Sequence, residues 1–247
     1  MLYILILIGV AITSFISAVL GMAGGMILMG LYAWLLPVSA AMILHGVTQA
    51  ASNGFRAFLL RDHIHYGVLR IYVFGALLAL TLFSIIQLVP NKAVIFILIG
   101  VFPIAALLLK NAPFLEIQRP DTAFTSGIVV TAAQLMAGAS GPVLDVFYVK
   151  STLDKNAVIA TKAITQTLGH VLKIIYYGMI VGLVAEDGAL PFWIFPAVIL
   201  TAMAGTRTGR VLFDRLSENQ FRTASRIAVV TIGVIYLVKG FQELLAA

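Results

Sequence analysis

Eight polar side chains stand in two matched sets: His45, Gln49, Asn53 and Arg56, and later Lys162, Gln166, His170 and Lys173. Within each set the spacings are four, four and three residues, which places each set on one face of an α-helix. Their charges are cationic or, for the histidines, titratable to cationic, and the amides offer N–H donors. The group that such faces would solvate is an anion. A blander reading has the helix-end residues snorkelling to lipid headgroups and the glutamines gluing helices together. Recurrence of one spacing in both sets favours a pathway, since an ionisable side chain inside a membrane costs roughly 2.5–3.5 kcal/mol even on insertion scales.

Two Gly-rich interruptions, Gly24-Gly25 and Ser140-Gly141-Pro142, point the same way. A helix that restarts inside a membrane exposes unpaired backbone N–H groups and the positive end of its dipole, where anions bind. Glycine lets that backbone approach a ligand, the Ser140 hydroxyl adds a donor, and Pro142 suits the first helical position. A lone Gly-Gly pair would more simply be a close helix contact; two breaks at equivalent places suggest a site between discontinuous helices. Asp145 is the one acid expected well inside the membrane. Its counterpart in the first half is the apolar Met29. It either neutralises Lys162 or Lys150 or carries a coupling proton, a role for which His45 and His170 also compete.

The surrounding chain sets the stage for these groups. It has 247 residues, 61% hydrophobic and 11% charged, a balance that makes the bilayer its solvent. Apolar runs over residues 1–20, 66–89, 92–109 and 227–245 meet the length needed to span hydrocarbon. The first run has no basic leader and continues into a repeated segment, so it reads as structure rather than a secretory signal. There are no cysteines, which excludes disulfides and thiol chemistry. The net charge of +6 reads as membrane orientation rather than nucleic-acid binding. His63 and His65 beside Asp62 lack further ligands, so no metal is expected, and no nucleotide-binding or nucleophile motif supports catalysis.

Self-comparison at an offset of about 116 residues divides the chain into residues 1–118 and 119–247. Each half reads as a leading helix, a Gly-rich break, a short segment and three longer helices. The short segments are 24–36 and 141–150; the long ones are 38–60, 67–88, 92–110, 155–181, 190–211 and 220–245. Arg56, Arg61 and Arg70, Lys110 and Arg119, Lys150 and Lys155, and the arginines from Arg207 to Arg226 then share one side, opposite Lys92 and the Glu186-Asp187 turn. Three net crossings per half invert the second copy. The expected fold is an all-α polytopic membrane protein of two inverted-topology repeats, about 8 to 10 membrane segments including two short broken or re-entrant helices.

The segments Gly21-Met-Ala-Gly24-Gly25 and Gly138-Ala-Ser-Gly141-Pro142, in a chain of about this many helices, resemble the TauE/SafE family of sulfite exporters. The second copy departs from a plain Gly-Gly, with Ser140 in place of the first glycine. The resemblance covers almost the whole chain and implies movement of sulfite, sulfonates or related sulfur oxyanions, commonly outward. The expected protein is therefore a secondary transporter of the bacterial cytoplasmic (inner) membrane, amino terminus outside, with its substrate between the halves. The substrate set comprises Gly24, Gly25, His45, Gln49, Asn53, Arg56, Ser140, Gly141, Lys162, Gln166, His170 and Lys173. No cofactor is expected; the partners are the small anion, the lipid bilayer and, as an option, a second copy in a homodimer. An anion channel and a non-transport membrane subunit are the alternatives.

Overall fold

The computed structural model describes residues 1–20, 23–109, 115–181, 190–213, 215 and 217–246. Among these there is no strand. The first five helices are α1 (Leu2–Leu20), α2 (Ala23–Leu35), α3 (Val38–Leu59), α4 (Tyr66–Ile86) and α5 (Lys92–Leu109). The next five are α6 (Pro120–Ala137), α7 (Gly141–Tyr148), α8 (Lys155–Ile175), α9 (Ile194–Phe213) and α10 (Glu218–Leu245). A short 3₁₀ turn, Arg61–His63, follows α3, and a π-turn, Tyr176–Ile180, extends α8. Both short segments expected from the sequence are helices, α2 and α7. Gly21, Met22, Lys110 and the Glu186-Asp187 turn lie outside the described residues.

Segments Leu2–Leu20, Tyr66–Ile86, Lys92–Leu109 and Thr223–Leu245 are long and apolar enough to cross a membrane. α3, α6, α8 and α9 have 18 to 22 residues, long enough as well, but three of them turn polar side chains inward. His45, Gln49 and Asn53 on α3, Gln134 on α6, and His170 and Lys173 on α8 are all buried, while large apolar residues such as Phe74, Ile85 and Leu200 are exposed. That inside-out distribution defines a polytopic all-α membrane protein.

Small residues bring the helices together, as expected where lipid removes the hydrophobic drive for association. A Cβ on Gly75 of α4 would lie 2.0 Å from the carbonyl oxygen of Phe124 on α6, and one on Gly127 would lie 2.2 Å from that of Tyr72. Gly205 and Gly209 of α9 press in the same way on Ala11 and Phe15 of α1, and Gly100 of α5 on Gly233 of α10. The extensive pairings are thus α1 with α9, α4 with α6, α5 with α10 and α3 with α8. Every one joins an element from before residue 118 to one after it.

Side-chain bonds gather the loops at two ends. The backbone N–H of His65 donates to Thr161 Oγ1 at 2.9 Å, and that of Thr152 to Gln118 Oε1 at 2.9 Å. These bonds tie the segment after Arg61 to α8, and the segment around Arg119 to the one between Lys150 and Lys155. Tyr176 Oη, beyond the end of α8, donates to the Leu88 carbonyl at 2.9 Å and so marks the opposite end.

Candidate functional site

α3 and α8 lie against each other, and the two Gly-rich breaks meet them near their middles. Between them is a cavity of about 20 Å³, room for about one water molecule. From α3 it is bordered by His45, Gln49 and Asn53, and from α8 by Gln166 and His170. Gly24 and Gly25, expected to interrupt the chain, lie in the first turn of α2; Gly25 borders the cavity from there, and Ser140 and Gly141 border it from the start of α7. Gln49 sits about 16 Å along α3 at 1.5 Å per residue, half the depth of a ~30 Å hydrocarbon core. The two stripes read from the sequence therefore meet, with both glutamines at the same cavity.

Among the described residues, the cavity border offers donors and no carboxylate. Gln49 Nε2 is buried and has no hydrogen-bond partner, while Gln49 Oε1 accepts a long bond of 3.4 Å from Asn53 Nδ2. A buried amide N–H left unmatched costs about 1–3 kcal/mol, so its presence on a cavity wall marks a place for an acceptor. A Cβ at Gly25 would stand 3.3 Å from Gln49 Oε1, so the glycine leaves that amide its room.

A hydrogen-bonded chain backs the cavity. Gln134 Nε2 donates to the Gly138 carbonyl at 2.8 Å and to His170 Nδ1 at 2.9 Å, and its Oε1 accepts from the Ser140 hydroxyl at 2.6 Å. Lys173 Nζ donates to His45 Nδ1 at 2.8 Å and to the same Gly138 carbonyl at 2.8 Å. His45 Nε2 then donates to the Gly25 carbonyl at 2.9 Å. Both histidines are thereby placed in the Nε2–H tautomer, their rings 5.4 Å apart. Gly138 holds a left-handed backbone, φ +73°, at the end of α6, and a Cβ there would strike Met29 Sδ at 2.3 Å. Only glycine fits that corner.

Other members of the expected set lie apart from the cavity. A Cβ on Gly24 would lie 2.0 Å from the Thr13 carbonyl, so this glycine serves the α1–α2 contact. Arg56 Nη2 donates to the Ser17 carbonyl at 3.0 Å, near the carboxyl end of α1 where a cation complements the helix dipole. Lys162 pairs with Asp145. Lys173 is fully buried behind His45 rather than on the cavity border. Among the described residues no group of three potential ligands could hold a metal. His65 Nδ1 instead accepts from the Val68 N–H at 3.1 Å and caps α4. Asp154 caps α8, and the N–H groups of Ala157 and Asn156 hold its carboxyl below the usual carboxylate range.

Gln134 and Ser17 border the cavity as well, and neither belongs to the set expected from the sequence. One signal could have found them. They are 117 residues apart, the same offset that relates Gln49 to Gln166.

Ten α-helices among the described residues, with polar side chains turned inward and large apolar ones outward, define a polytopic membrane protein. Residues 5–236 match the family model described as "Sulfite exporter TauE/SafE", and the chain belongs to that family. Neither a curated protein nor a solved structure matches it.

Proposed function

We propose that the chain is a secondary transporter that exports a small sulfur-containing anion, sulfite or an organosulfonate, through the cavity between α3 and α8. The observation that carries this reading is the unpartnered Gln49 amide on a cavity that no carboxylate borders among the described residues, between the first turns of the short helices α2 and α7. Neutral N–H donors suit the three-oxygen face of a sulfonate or sulfite, which spreads its charge over several acceptors. Membership of a family of sulfite exporters supports both the sulfur anion and the outward direction.

A cavity of about 20 Å³ has room for about one water, less than a sulfur atom with three oxygens needs, so transport requires it to widen. Alternating access is the motion expected of an inverted repeat of residues 1–118 and 119–247, and the helix pairings support one division of the moving parts. α1 lies along α9 and α6 along α4, each a counterpart of the other under exchange of halves. Rocking one half of the sequence against the other would break both interfaces. Moving α1, α2 and α9 against α6, α7 and α4 keeps both intact and places the sliding surface at α3 and α8. Loop arginines and lysines at one end support an inner-membrane protein with that end cytoplasmic and the amino terminus outside.

Proteoliposomes test the proposal. Saturable sulfite or sulfonate flux is expected from the wild type, and its loss from Gln49→Leu and Gln166→Leu made separately. Unsaturable flux that simply follows voltage would make the protein a channel. No anion flux, with a tightly bound partner protein, would make it a subunit.

A further inference from the structure

We infer that Lys173 and His45 form a proton-binding site that fills together with the anion cavity. The inference rests on the anion reading of that cavity and adds to it a second, coupled ligand. Lys173 is wholly buried, and its Nζ reaches two acceptors, His45 Nδ1 and the Gly138 carbonyl, both at 2.8 Å. Neither acceptor carries a charge.

Among the described residues, the groups that bond to or stack on the pair are uncharged. α2 presents the Gly25 carbonyl and the Tyr32 ring, the latter 6.4 Å from the His45 ring. α6 presents the Gln134 amide and the Gly138 carbonyl, and α8 presents His170. Just beyond α8, Tyr176 and Tyr177 donate their hydroxyls to the carbonyls of Leu88 and Leu135. Asp145, the acid nearest in sequence on a membrane segment, is bound to Lys162. An ammonium held by two neutral acceptors leaves one positive charge that a bound anion would balance.

His45 connects the two events, because it borders the cavity on one side and accepts from Lys173 on the other. An anion among Gln49, Asn53 and His45 supplies the missing negative charge, so the pair holds its proton while the cavity is filled and releases it when the cavity empties. His45 Nδ1 is an acceptor in this bond, so the pair carries at most one excess proton. His170 cannot take the role without rearrangement, since Gln134 donates to its Nδ1. The protonated pair also makes charge-assisted bonds that tie the first break, through Gly25, to the second, through Gly138. Proton and anion binding therefore reinforce each other, and linkage makes the effect reciprocal.

Calorimetry on the purified full-length protein tests this with ethanesulfonate, a strong-acid anion that does not titrate itself, as sulfite does. Titrations in buffers of different ionisation enthalpy between about pH 5 and 9 read the protons taken up per anion bound. The wild type should take up close to one, and above the titration its affinity should fall about tenfold per pH unit. Lys173→Met should bind weakly with no uptake. Lys173→Arg, a permanent cation that needs no apolar replacement to fold, should bind independently of pH with no uptake. Wild-type binding without proton uptake across the range, or uptake that persists in Lys173→Arg, would overturn the proposal. If the wild type binds neither ethanesulfonate nor sulfite, the cavity reading falls and the coupling falls with it.

Discussion

The side-chain amide of Gln134 donates to Nδ1 of His170 at 2.9 Å, and that bond decides which ring nitrogen of His170 carries the proton. The same amide group also holds Gly138 and Ser140, so one side chain fixes the second break to α8. A buried polar network of this kind is rigid when every member is matched and costly when one is removed.

Gln134→Leu should therefore leave the Ser140 hydroxyl, His170 Nδ1 and part of the Gly138 carbonyl unmatched. The expected loss is about 1–3 kcal/mol of stability in detergent, with anion affinity down by about tenfold or more as His170 turns free. Thermal unfolding and calorimetric binding measure the two effects. Unchanged affinity would show that His170 needs no support from Gln134.

Gln49→Leu should behave in the opposite way toward stability. Its Nε2 is buried with no partner, so leucine of similar size removes a desolvation cost and should hold or raise the melting temperature by the equivalent of about 1 kcal/mol, while anion binding is lost. Stability and function moving apart in one variant is the signature of a ligand donor. A fall in both together would make Gln49 a structural residue.

Much of this arrangement was legible before any coordinates, and the limits follow from helix geometry. The short segments could be read because Gly24-Gly25 and Ser140-Gly141-Pro142 interrupt apolar runs, and the matched four, four, three spacing brought Gln49 and Gln166 to one place. Each stripe, however, is about 16 Å long at 1.5 Å per residue, far longer than a cavity that holds one water. Its ends therefore find other partners: Arg56 takes the Ser17 carbonyl, Lys162 takes Asp145, and Lys173 sits behind His45. Gly24 and Gly25 differ by 100° around the helix axis, which sends one toward α1 and the other toward Gln49. Gln134 is a single amide in an apolar helix, a pattern that usually means helix–helix glue.

The α4–α6 contact should be intolerant of any side chain at its two glycines. A Cβ on Gly75 or Gly127 would overlap backbone oxygen, which cannot move as a flexible side chain can. Gly75→Val and Gly127→Val should each cost about 2 kcal/mol or more and reduce folded yield. Gly178, in the π-turn after α8, has nothing within 4 Å of a Cβ, so Gly178→Ala should leave the unfolding temperature unchanged. Equal tolerance at all three positions, seen in thermal unfolding, would contradict the backbone contact.

Asp145 and Lys162 form an ion pair that is only about a quarter exposed, and a double-mutant cycle separates its structural role from a role in the site. Asp145→Leu alone leaves an uncompensated ammonium, and Lys162→Met alone an uncompensated carboxylate; each should destabilise by about 1–3 kcal/mol. The double variant should recover most of that loss, since an apolar pair of similar volume needs no partner, giving a coupling of about 1–2 kcal/mol. Neither residue borders the cavity, so ethanesulfonate affinity in the double variant should stay within about twofold of the wild type. A larger fall in affinity with the stability recovered would place Lys162 on the anion's route rather than in the scaffold. Loss of proton uptake in that same variant would move the coupling proton from Lys173 to Asp145.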